Sequence, residues 1–126
     1  MKQIIILIIS VIISLSAGLY EINYLKNTTK YFNADINHIK NKINSQDFEE
    51  ADIYLNKVEK SWNKIKNIWD IFVNHEDINQ IEEEMLSCKL DIKSQDKEDS
   101  LKSVERLKRD LNNIYERKKI KLQNII

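Results

Sequence analysis

The chain contains no proline, one glycine at Gly18 and one cysteine at Cys88. With so few residues of the kind that punctuate loops, a flexible linker is excluded and an all-α fold is the class that suits the composition. One cysteine excludes an intrachain disulfide framework, which needs cysteines in pairs. An excess of either charge is missing too, because the 20 basic and 20 acidic residues cancel. A nucleic-acid binder carries a clear basic surplus to neutralise phosphates, so no nucleic-acid partner is expected. No catalytic, metal-binding or nucleotide-binding constellation stands out. The chain therefore reads as a non-enzyme without metal or cofactor.

What is present divides sharply at residue 20. Gln3 to Tyr20 is free of charge and rich in Ile, Leu and Val, whereas charged residues recur from Glu21 onward. About 18 helical residues rise roughly 27 Å, close to the hydrocarbon thickness of a bilayer. Residues 1–20 therefore read as a transmembrane anchor or uncleaved signal, with Tyr20 and Tyr24 where interfacial aromatics sit. The rival reading is a cleaved signal peptide with Ser16-Ala17-Gly18 as its small-residue site. The apolar stretch is longer than a usual signal core and only Lys2 precedes it, which favours the anchor. A lipoprotein is excluded because no cysteine stands there for lipid attachment. Lys2 favours a cytoplasmic N-terminus, so residues 21–126 are expected outside the cell membrane as one extracytoplasmic domain.

That domain has clean helical periodicity. Ile22, Leu25, Thr29, Phe32, Ile36, Ile39 and Ile43 alternate steps of three and four. Phe48, Ala51, Leu55, Val58, Trp62, Ile65, Trp69 and Phe72 do the same. Ile78, Ile81, Met85, Cys88 and Ile92 form a third seam, and Val104, Leu107, Leu111 and Ile114 a fourth. Such spacing keeps one face toward a partner and predicts coiled-coil-like packing. Asp47 with Glu50 predicts a helix start of capping-box type; Asp96 with Asp99 is a weaker copy, and Asn74 with Asp77 marks a third start. Breaks are expected near Ser45-Gln46-Asp47, Asn74-His75 and Ser94-Gln95-Asp96. The first and last of these match at an offset of 49 residues, as do Leu55 with Val104 and Ile65 with Ile114. Either a true repeat or convergence of two capped hairpins explains the match. In both cases the expectation is a transmembrane helix followed by an antiparallel four-helix bundle made of two helical hairpins.

Asp47-Phe48-Glu49-Glu50-Ala51, Trp62-Asn63-Lys64-Ile65-Lys66-Asn67-Ile68-Trp69 and Asn74-His75-Glu76-Asp77-Ile78 together resemble the bacterial family called domain of unknown function 4363. The resemblance covers nearly the whole chain. It departs at Phe48, where the family is expected to have Trp, and at Tyr115-Glu116, where a proline-containing turn is expected. It implies a short protein with an N-terminal hydrophobic segment and Trp-rich helices, in spore-forming Gram-positive bacteria and beside integral membrane proteins. It implies no activity, and hence no catalytic residue.

Several residues invite a chemical role and have a plainer one. His75-Glu76-Asp77 suggests a metal-site fragment, but an acidic first turn is ordinary dipole complementation. His38 lies off the seam and reads as solvated, and Cys88 reads as a small core residue rather than an interchain disulfide. Glu82-Glu83-Glu84 reads as a solvated face. Trp62 and Trp69, seven residues apart, form either an aromatic cleft or core; the unbroken stripe of Phe48, Leu55, Trp62, Ile65, Trp69 and Phe72 favours core. The one strong charge bias is Arg117, Lys118, Lys119 and Lys121, beside Leu122, Ile125 and Ile126. Two readings stand: complementation of a helix dipole, or contact with anionic lipid or a partner. Bundle topology bears on the choice. A helix from Lys97 rises about 36 Å by Lys121, matching the outward rise from Glu21 to Asn44, which returns the basic tail to the bilayer surface.

The leading expectation is a membrane-anchored helical interaction or accessory module, with the lipid bilayer and an integral membrane protein as partners. The alternatives are a four-helix ligand-sensing domain, or a secreted soluble bundle after signal cleavage.

Overall fold

The computed structural model describes residues 1–125 and is all-α. Four helices follow one another: α1 (Lys2–Asn44), α2 (Phe48–Phe72), α3 (His75–Lys93) and α4 (Lys97–Ile125). The apolar segment and the first bundle helix are one helix, so the described residues form four helices where a separate anchor would make five. The backbone has no break at the boundary of residues 20 and 21, because neither proline nor a capping residue stands there to stop it. α4 likewise runs through Tyr115-Glu116 without a turn. Ile126, grouped with Leu122 and Ile125 in the sequence, lies outside the described residues.

The helices form a bundle in which α2 and α4 both pack on α1, and α3 packs on α2 and α4. Between α1 and α4 the paired residues run in opposite order. Glu21 meets Lys118 at 3.0 Å, Asn33 meets Asn112 at 3.0 Å, Asn37 meets Lys108 at 3.3 Å, and Lys40 meets Glu105.

The breaks fall at residues 45–47, 73–74 and 94–96. At the first, Gln46 and Asp47 donate back to the carbonyls of Ile43 and Lys42, both at 2.9 Å, closing a Schellman turn. Gln46 adopts φ 59°, and Gln95 repeats that value at the third break. Asp47 then caps α2 by accepting from the Glu50 amide at 3.2 Å. Asp96 caps α4 by accepting from the Asp99 amide at 2.9 Å, so the copy read as weaker is the shorter bond. Asn74 differs: its side chain makes no cap bond, and only its carbonyl accepts from Asp77 and Ile78.

The four seams meet in one core that includes Leu25, Phe32, Ile36, Leu55, Trp62, Trp69, Ile81, Cys88, Leu107 and Leu111, all 2 % exposed or less. Phe32, Trp62 and Trp69 form an aromatic chain through it, with the two indoles edge-on at 5.5 Å between centroids. The Trp69 indole N–H donates to Thr28 at 3.2 Å. Phe48, Ile65 and Phe72 are half-buried rather than enclosed. Phe48 and Phe72 occupy the first and last positions of α2, where the bundle opens. Cys88 is fully buried, and loss of hydration pushes its thiol up to about 12.

Two expected outcomes test this packing. Trp62→Ala should cost about 3–5 kcal/mol, seen as a large fall in Tm by circular dichroism of the detergent-solubilised full chain. Trp62→Phe should retain most of the stability, and an unchanged Tm for Trp62→Ala would contradict the aromatic core. At Gln46 and Gln95, relief of left-handed strain of about 1–2 kcal/mol exceeds the extra unfolded-state freedom of glycine, about 0.5–1 kcal/mol. Gln46→Gly should therefore raise Tm slightly and Gln46→Val should lower it; the reverse order would remove the strain argument.

Candidate functional site

The one strong charge bias in the sequence sits on the last turns of α4, and the structure places it against the boundary between the two parts of α1. The positions are not equivalent. Arg117 forms an ion pair with Asp77 of α3 at 3.1 Å, and Lys118 pairs with Glu21 of α1 at 3.0 Å. Lys119 is half-buried and Lys121 is exposed, and neither has an ion pair among the described residues. The stretch is thus two cations tied to the bundle and two that are not. Exposed or partly exposed pairs of this kind contribute little stability, so Lys118 and Glu21 mainly set where the end of α4 lies.

That end reaches past Glu21 onto the apolar half of α1. A Cβ added to Gly18 would lie 3.0 Å from the Leu122 Cδ1, so the only glycine in the chain sits against a side chain from the end of α4. Beside the contact is a cavity of about 330 Å³ lined by Ser14, Leu15, Gly18, Ile22 and Leu122, with Glu21, Lys118 and Lys121 at its edge. A second groove of about 420 Å³ joins the same lysines to the turn between α2 and α3, through Ile71, Val73 and Asn74. Ile71 is 77 % exposed. One end of the bundle therefore combines lysines, exposed apolar side chains and the point where α1 loses its neighbours.

The other candidates resolve differently. Trp62 and Trp69 are buried, and an edge of Trp62 borders a groove of about 270 Å³ between α2 and α3 with Glu59, Met85 and Lys89. His38 is exposed and stacks on Tyr54 at 5.3 Å, while His75 pairs with Asp70 at 3.3 Å beside the acidic first turn of α3. Glu84 corrects the reading of Glu82-Glu83-Glu84 as a solvated face, for it is 9 % exposed while Glu82 and Glu83 are exposed. It accepts from Arg106 at 3.0 Å and from Gln80 at 3.3 Å. Arg106 also donates to Ser103 at 3.3 Å, and Ser103 donates to Asp91. The sequence carries no local signal of this network, because its members lie on two helices and meet only when α3 and α4 pack. Burial next to Glu84 pushes the Asp110 carboxyl up. Glu84 meets Arg106 and Asp91 meets Ser103 across α3 and α4, which suits a role in fixing the register of that pair.

Comparison with known proteins gives one match. No curated protein and no solved structure matches the chain. The family described as Domain of unknown function (DUF4363) matches residues 19–125, which takes in all of the bundle and the junction with the apolar segment. The chain belongs to that family.

Proposed function

We propose that the protein is a single-pass membrane protein whose bundle serves as an interaction module, an accessory to an integral membrane protein. The observation that carries this reading is α1 itself. One helix of 43 residues is long and apolar enough to cross a membrane in its first half and walls the bundle in its second. Ile4, Leu7, Ile8 and Val11 are each 51–65 % exposed in the isolated chain, a continuous apolar surface that a bilayer would cover. In lipid a helix also satisfies its own backbone, which this segment does without help.

The opposite order of the α1 and α4 pairs supports an up-down-up-down bundle of two antiparallel hairpins. Lys2 and the amino terminus favour the cytoplasmic side, leaving the bundle outside. The basic end of α4 and the turn carrying Ile71 would then face the bilayer surface. Arg117 and Lys118 are tied to Asp77 and Glu21 through partly exposed pairs while Lys119 and Lys121 are not, and the four together are offered to anionic headgroups or to an acidic loop of a partner. Ile53, Leu86 and Leu90, each more than half exposed on α2 and α3, add apolar surface for a partner away from the membrane.

The core favours this reading over a ligand-sensing domain. A sensor of four-helix type needs a polar pocket between its helices, whereas Phe32, Trp62 and Trp69 fill that space. A secreted bundle would require cutting α1 within its helix at Ser16-Ala17-Gly18, which removes Leu15 from beside Leu122 and, for a chain starting at Leu19, Gly18 as well.

Intact-mass measurement on membrane-extracted protein tests the anchor. The chain is expected to begin at residue 1 and to resist extraction by alkaline carbonate. A mature form starting at Ala17 or Leu19, recovered from the medium, would overturn the reading and leave a secreted soluble bundle.

A further inference from the structure

The cavity between α1 and α4 has a lining of two kinds. Leu15, Gly18, Ile22 and Leu122 make it largely apolar, with Ser14 beside them. Lys118, Lys121 and Glu21 supply its charge. Lys118 lies level with Glu21, at 3.0 Å, while Leu122 lies level with Gly18. Three residues of helix separate Gly18 from Glu21, a rise of about 4–5 Å toward the hydrocarbon side. Two lysines against one glutamate leave the edge cationic. Lys121 is exposed and without an ion pair among the described residues.

We infer that this cavity is a binding site for one anionic phospholipid drawn from the bilayer that α1 crosses, with the phosphate at Lys118 and Lys121 and an acyl chain along Leu15, Gly18 and Leu122. The inference rests on the membrane reading above and goes beyond it, because general attraction to a charged surface needs neither a cavity nor an apolar floor. The shape of the occupant follows from the lining. A free phosphate would meet the lysines but leave the apolar lining uncovered. A zwitterionic lipid would cover the apolar lining but bring its own cation to the lysines. Only a lipid with net negative charge matches both kinds of lining. Gly18 makes the room: any side chain there would meet Leu122 and close the gap between the helices. The lysine stems cross the apolar edge while their ammonium groups reach the headgroup level.

The test is native mass spectrometry of the full chain in detergent, with phosphatidylglycerol or phosphatidylcholine of identical acyl chains added. One phosphatidylglycerol should bind per chain, in preference to phosphatidylcholine. Lys121→Gln should weaken it about fivefold and Lys118→Gln/Lys121→Gln further, about fivefold for each lysine. Lys93→Gln, the same charge change at the opposite end of the bundle, should leave binding unchanged and shows that folded protein is being measured. Inorganic phosphate should not displace the lipid. Equal binding of the two lipids, wild-type binding by Lys121→Gln, or displacement by inorganic phosphate would each overturn the site. Failure of the membrane reading is visible separately in the same spectrum, as a chain whose mass lacks residues 1–16 or 1–18.

Discussion

The unbroken backbone ladder of α1 is the constraint on which the rest of the structure depends. α2 and α4 both pack on its second half, while its first half has no neighbours until Leu122 touches Gly18. A helix with no break at the boundary transmits direction: the bundle is held along the axis of the apolar segment instead of hanging from a linker. In the proposed arrangement this decides which residues lie near a bilayer. Lys118, Lys121 and Ile71 lie at that end because α4 returns beside α1 and the turn between α2 and α3 closes next to them.

The core supplies the cohesion that isolated helices lack. α2 and α4 alternate apolar and charged faces, and neither would be stable alone in water without a partner for the apolar stripe. Trp62 and Trp69 sit at the centre of that partnership, edge-on to each other and linked to α1 through Phe32 and Thr28. Filling the interior with aromatic rings leaves surface grooves and a junction at one end as the places where another molecule can make contact.

The segments on either side of the two matching turns share a plan and differ in their polar chemistry. Ser45-Gln46-Asp47 and Ser94-Gln95-Asp96 adopt the same turn, and Ala51 and Ser100, 49 residues apart, are both fully buried where a small residue lets helices approach. The network of Asp91, Ser103, Arg106 and Glu84 has no counterpart at the equivalent positions Lys42, Tyr54, Lys57 and Asp35. There the ring of Tyr54 stacks on His38 instead.

Much of the fold was legible in the residues, because helical period, capping chemistry and apolar length act locally. The three breaks, the four seams and the apolar segment all follow from side chains within a few positions of one another. The junction of α1 with the apolar half was not legible as a join, since nothing in the sequence marks a continuing helix except the absence of a stop. Nor could local pattern separate Arg117 and Lys118, which meet Asp77 and Glu21, from Lys119 and Lys121, which do not. The same holds for Glu84, whose partner Arg106 is 22 residues away. Sequence by itself determined which residues are helical and which faces are apolar, through the 3.6-residue period. Only tertiary structure decided which charges meet and where a cavity remains, because those depend on how far one helix slides along another before its side chains interlock.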